Sequence, residues 1–226
     1  SMPCSIPEDD LIPIADYGKC ESGEVASDYR KKLLKKYGGK KQLISGIHYN
    51  FSFNEELIKD LYEKMNKGES YRNFRDSIYL KVVRNYLRYR WLLIYLLGGT
   101  TAMHETFGEK CVIALDKISK DGFSNRGAVS YRNSECGYKN TIDLYPNYNS
   151  VQEYVESVYK FIEDKLIDSH KELYTQIRLK AKDNNRFLES LLEDGINYVE
   201  MRSIDINPFS KAGISLEDLN FINLLT

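Results

Sequence analysis

The chain has 226 residues, 42% of them hydrophobic and 29% charged, enough to build a core in one large domain or a domain plus appendages. The formal net charge of −1 gives no general electrostatic reason to expect nucleic acid or an anionic membrane as a partner. The longest purely apolar run, WLLIYLL at 91–97, is far shorter than the roughly 20 residues of a membrane span, and no secretory signal pattern opens the sequence.

The chain begins Ser1-Met2, which reads either as a cloning remnant before a start codon or as the interior of a longer protein. Residues 3–23 hold Pro3, Pro7 and Pro13 with little periodicity and are expected to be irregular. EVASDYRKKLLKKY (24–37) predicts a helix, with Tyr29, Leu33 and Leu34 at core spacing and Gly38-Gly39 as the stop. SGIHYNFSF (45–53) alternates as a strand: Ile47, Tyr49, Phe51 and Phe53 take one side. His48, Asn50 and Ser52 take the other, with Gln42 in phase upstream. Asn54 caps a helix over 55–67. Apolar residues from Phe74 to Leu97 at three- and four-residue steps predict a long helix over 71–97, stopped by Gly98-Gly99. Turn-rich chain fills 119–126, and AVSYRNS (128–134) reads as a short strand. A helix over 151–167 follows, then a strand over 172–182 and a short helix over 186–194 ended by Gly195. A strand from 196 closes in a turn at Asp205, Asn207 and Pro208, and Ser215 caps a last helix. Helices and strands mixed without regular βαβ alternation predict an α+β fold.

The polar sides of the strands are the informative feature. The first offers Gln42, His48, Asn50 and Ser52; the second Ser130, Arg132 and Ser134. The third offers Tyr174, Gln176 and Arg178, and the last Glu200 and Arg202 beside Tyr198. On one sheet face, these would gather guanidiniums, a carboxylate, an imidazole and phenols. Arg forks match carboxylate or phosphate oxygens, and Glu with His holds Mg²⁺ or Mn²⁺ between phosphates. A solvated face, or a simple ion pair between Glu200 and Arg202, would produce the same alternation.

No G-x-x-x-x-G-K-[ST], no G-x-G-x-x-G after a strand and no H-E-x-x-H is present. His104 and His170 read as surface or packing residues. The four cysteines (Cys4, Cys20, Cys111, Cys136) are widely spaced with no C-x-x-C pair, which predicts reduced thiols in the cytoplasm, with Cys136 a small packed residue.

QLISGIHYNFSF, SYRNSECGYKN and INYVEMRSIDINPFSKAGI resemble the bacterial glutamate–cysteine ligase family, in the version found in bifunctional glutathione-synthesising proteins. DYRKKLLKKYG, VVRNYLRYRWLLIYLLGG and ELYTQIR match in the same order, so the resemblance covers nearly the whole chain. It implies a glutamine synthetase-like fold, here a partial antiparallel sheet with packed helices. It also implies ATP-dependent phosphorylation of the γ-carboxylate of L-glutamate, followed by attack of the amine of L-cysteine. His48 and Glu200 would ligate magnesium, with manganese as a substitute, and Arg202 would neutralise the phosphoryl group in flight. Arg132 would clamp the cysteine carboxylate, with Tyr138, Tyr174, Tyr29, Leu33 and Gln42 lining its pocket. Asn50 and Ser52 would face nucleotide.

Family members carry further metal-binding carboxylates on strands before the matched region. On this expectation residues 1–226 are a central part of the catalytic domain, inactive alone, and a fused glutathione synthetase domain lies in the full-length protein. Two other readings stay open: another carboxylate–amine ligase of the same superfamily, and a module that binds nucleotide or amino acid without turnover.

Overall fold

The computed structural model describes residues 2–65, 68–113, 115–125 and 127–226. The expected helix end at Asn66-Lys67, Ser1 of the opening dipeptide and Arg126 of the turn-rich stretch lie outside the described residues. Two compact units divide the chain.

The second unit, Ile47–Leu93, Ile142–Ile204 and Ile214–Thr226, is built on a three-stranded antiparallel sheet. Its elements are β1 (Ile47–Phe51), α2 (Glu55–Met65), α3 (Tyr71–Leu97) as far as Leu93, α5 (Val151–Glu163), β5 (Ile177–Lys180), α6 (Phe187–Asp194), β6 (Tyr198–Ile204) and α7 (Leu216–Leu225). Strand β6 is central, between β1 and β5. The core side of the sheet is fully buried at Ile177, Leu179, Val199 and Met201. Apolar helical residues at three- and four-residue steps are buried as well, such as Tyr79, Val82, Val83 and Tyr86 of α3 and Tyr154, Val155 and Val158 of α5. Tyr86 and Ser203 join their hydroxyls beneath β6.

The turn into β6 is fixed from α3. Gly195 ends α6 at φ +79°, and the Ile196 N–H donates to the buried Asp76 carboxylate at 2.7 Å. A side chain on Gly195 would press into that same carboxylate. The Arg72 guanidinium donates to the Leu192 and Glu193 carbonyls at the end of α6. Ser215 heads α7 with a capping box, as its sequence predicts.

The first unit, Ser1–Gly46, Ile94–Thr141 and Asp205–Gly213, is mostly turns around one long helix, α1 (Glu21–Tyr37). A small antiparallel sheet of β2 (Met103–His104), β4 (Gly122–Ser124) and β3 (Asp116–Lys117) and a short helix α4 (Glu109–Val112) complete it. Met103, Phe107 and Tyr131 form its small core, with Met2, Ile6, Ile44, Cys111 and Cys136 packed against them.

Several expectations need correction here. Residues 128–134 are not a strand, so the second of the four expected polar strands is missing from the main sheet; Ser130 makes an isolated bridge to Thr100. The cause is local. Ser130 Oγ accepts from Asn133 N and Nδ2, and Ser134 Oγ donates to the Tyr131 carbonyl. Side chains of this kind offer the backbone turns in place of a ladder. Gln42 is not on the β1 strand but in a 3-10 turn, where Nε2 donates to the Gly38 carbonyl. Strand β5 begins only at Ile177, so Tyr174 and Gln176 precede it. The segment 3–23 is anchored: Ile6 N–H donates to Thr106 Oγ1, and Asp9 accepts from Gly39 and Lys40 N–H. Helix α1 starts at Glu21, earlier than predicted. Cys111 and Cys136 are disulfide-bonded, against the expectation of reduced thiols, while Cys4 and Cys20 are free. Their Cα atoms lie 5.8 Å apart because α4 and the 131–138 turns share one core, which sequence spacing does not reveal.

Candidate active site

In the second unit, β6 carries Glu200 and Arg202, two of the residues singled out in the sequence. Glu200 stands opposite Asn50 on one side and Arg178 on the other. A bulge between Ile47 and Tyr49 sets Arg202 and Ser203 opposite His48, so the imidazole meets both Glu200 and Arg202. His48 Nδ1 lies 2.9 Å from Glu200 Oε1, and Lys180 Nζ lies 2.7 Å from Oε2. Arg202 Nε lies 4.0 Å from Oε1 and donates to His48 Nε2 at 3.5 Å. That pattern suits the tautomer with its proton on Nδ1.

The Glu200 side chain is only 8% exposed. Burial opposes its charge, yet the hydrogen bonds from His48 and Lys180 and the fields of Lys180 and Arg202 more than offset it, holding the pKa at about 2. Glu200 is therefore a carboxylate at neutral pH. Tyr174, just before β5, lies between two guanidiniums: Arg178 and Arg202 sit 5.9 and 6.0 Å from its ring centroid. Arg178 itself turns away, donating to the Leu173 and Lys171 carbonyls. Asn50 is exposed on β1 and Ser52 is exposed just past its end.

In the first unit, Arg132 is held by a network that the sequence did not announce. Asp205, 3% exposed, accepts from Gly99 N, Thr100 N and Thr100 Oγ1 at 3.0, 3.1 and 2.7 Å. Its other oxygen accepts from Asn133 Nδ2 at 3.4 Å and lies 3.7 Å from an Arg132 terminal nitrogen. The Arg132 guanidinium packs on Gly46, where any Cβ would overlap it. Gly137 fits under the Arg132 carbonyl for the same reason. Tyr138 meets Tyr37 edge-on at 5.6 Å, and Asn140 Nδ2 donates to the Tyr37 hydroxyl. Leu33 is buried at 2% exposure in α1, with Tyr29 partly exposed one turn earlier. The signal for Asp205 was an aspartate at a strand's end, which reads equally well as turn chemistry.

His104 caps a 3-10 turn and His170 stacks on Phe187 with ring centroids 4.5 Å apart, the packing roles expected of them. Among the described residues no group of three or more His, Cys, Asp or Glu side chains could hold a metal ion, and no helix is long and apolar enough to cross a membrane. Glu200 and His48 offer two adjoining donors, a carboxylate already drawing a cation to Oε2 and an imidazole. This fits part of the shell of an oxygen-preferring divalent ion and leaves the rest to other ligands.

A family model described as glutamate-cysteine ligase matches residues 1–226. The chain belongs to that family. It is 44% identical over 224 residues to the glutathione biosynthesis bifunctional protein GshAB of Clostridium perfringens, covering 99% of this chain and 28% of that protein. It is 35% identical over 258 residues to a glutamate–cysteine ligase of Clostridium acetobutylicum, covering 99% of this chain and 53% of that one. The fold matches the crystal structure of glutamate–cysteine ligase from Francisella tularensis in complex with AMP, with a TM-score of 0.87 and 30% identity. That match covers all of this chain and 49% of the other. The expected α+β class with antiparallel sheets is thus the observed one, and the chain spans about half or less of these relatives.

Proposed function

We propose that this chain carries part of the catalytic machinery for ATP-dependent ligation of L-glutamate to L-cysteine, the first step of glutathione synthesis. The observation that carries this reading is the Glu200 carboxylate, ionised though nearly buried, with His48, Lys180 and Arg202 around it on one sheet face. Its place within a ligase family, and the AMP bound by the Francisella relative, support a nucleotide phosphate as the anion these cations serve.

In the reaction, a γ-carboxylate oxygen of glutamate attacks the γ-phosphorus of ATP and the bond to ADP breaks. The cysteine amine then attacks the acyl carbon of γ-glutamyl phosphate, expelling phosphate and losing a proton. Glu200 and His48 would hold magnesium, which would neutralise charge on the phosphates. Arg202 lies on the same face and is assigned to the oxygens of the phosphoryl group as it transfers. Asn50 and Ser52, exposed on and beside β1, are assigned to nucleotide.

Arg132 is assigned to the cysteine carboxylate. Asp205, Asn133 and Gly46 fix its position, so its fork is pre-aimed and little rotamer freedom remains to be lost on binding. Tyr138, Tyr29, Leu33, Gln42 and Tyr174 keep the substrate-binding roles that the resemblance gives them.

The test is ADP release that requires glutamate, cysteine and magnesium together, measured on the full-length protein. Arg202→Ala should cost on the order of 10²-fold or more in kcat. Arg132→Ala should raise KM for cysteine far more than KM for ATP. ADP release indifferent to cysteine would overturn the assignment.

A further inference from the structure

Glu200 is the most deeply placed charge on the sheet face, and the residue directly opposite it on β5 does not neutralise it. That residue, Arg178, spends its donors on the carbonyls of Leu173 and Lys171. The cation that reaches Oε2 comes from the diagonal position, Lys180, whose own partner across the ladder is Tyr198. Leaving a buried carboxylate without a partner is costly, so some positive charge must sit at Oε2 at all times. A divalent ion bound through Oε2 would sit within a few ångströms of the Lys180 ammonium, and like charges that close repel.

Resting on the assignment of Glu200 to metal, we propose that the Lys180 ammonium is a stand-in for that metal. It fills the Oε2 position while no divalent ion is bound and withdraws when one arrives, so its presence sets how tightly the ion is held. The side chain suits this exchange. Lysine is a compact point charge on a flexible stem, with no planar fork to hold it in register. Its side chain is 23% exposed against 8% for Glu200, so of the two partners it is the one nearer to water. Arg202, at 4.0 Å from Oε1 and hydrogen-bonded to His48, is the neighbour that stays.

The test uses Mn²⁺ alone as the probe, read by water-proton relaxation and by the Mn²⁺-induced rise in Tm, with no nucleotide present. Lys180→Met should bind Mn²⁺ about 3- to 10-fold more tightly than the parent chain, the size expected for relieving competition from one partly exposed ion pair. Lys180→Gln should do the same, which covers the case where the methionine variant does not fold. Lys180→Arg should not tighten binding, and Glu200→Gln should abolish it. Equal or weaker binding in both neutral variants overturns the stand-in role. If Glu200→Gln still abolishes binding in that case, the metal assignment itself survives. If no protein binds Mn²⁺, or if binding persists in Glu200→Gln, the metal assignment and the stand-in fall together.

Discussion

The two units place their reactive groups by opposite means. In the second, Glu200, Arg202, His48 and Lys180 ride on a hydrogen-bonded ladder whose far side is fully buried, so the backbone decides where each side chain points. In the first, Arg132 and Tyr138 sit on consecutive turns, and side-chain hydrogen bonds take over the work of a ladder. A single buried acceptor, Asp205, ties the Gly99 and Thr100 amides, the Thr100 hydroxyl and the Asn133 amide together. The comparison teaches that ladder-borne chemistry tolerates loss of one neighbour, whereas turn-borne chemistry depends on a few anchors.

The most severe break should come from Asp205→Ala. It strands the Gly99 and Thr100 amides and leaves Arg132 without its carboxylate, which should cost about 3–5 kcal/mol in urea denaturation. Hydrogen exchange should speed up at Gly99 and Thr100 before it does at Val199 and Met201; uniform loosening would show that the anchor is not local. Next comes reduction of Cys111–Cys136. The bridge joins residues 25 apart, and its loss should lower stability by about 2–4 kcal/mol, matched by Cys136→Ser under non-reducing conditions. Identical urea midpoints with and without reductant would mean that the turns hold themselves.

The smallest effect sharpens the ladder side. Burial against Phe187, and then the nearby Lys171 and Arg178 charges, lower the His170 pKa to about 4 from an ordinary 6.5. Its folded-state value is depressed, so the neutral ring favours the fold above about pH 6.5 and that contribution is lost as pH falls toward 4. His170→Phe should therefore flatten the stability profile across that interval by about 1–2 kcal/mol, allowing for solvent screening of a half-buried ring. An unchanged slope would assign the acid sensitivity to other groups.

How much of this was legible in the sequence follows the same division. Period two put His48 and Asn50 on one side of β1, and set Glu200 in step with Arg202, because a strand's side chains obey its pleat. The long α3 helix and the α7 cap were equally plain. Reading by period failed where the ladder stops. Ser130, Arg132 and Ser134 alternate like strand residues, but the two serines spend their hydroxyls on local turns, and Gln42 spends its amide on the Gly38 carbonyl. Lys180 was visible on the polar side of β5, but nothing in its spacing showed that it, rather than Arg178, would meet Glu200. Asp205 and the Cys111–Cys136 pair depend on segments far apart in the chain, which no local pattern encodes.

Gly46 has a wider consequence. Its missing side chain is the slot into which the Arg132 guanidinium fits, so the glycine before IHYNF and the arginine of YRNS are two halves of one fitting. A relative with an alanine at the first position should hold the guanidinium at the second in a different pose, and grip its carboxylate less well.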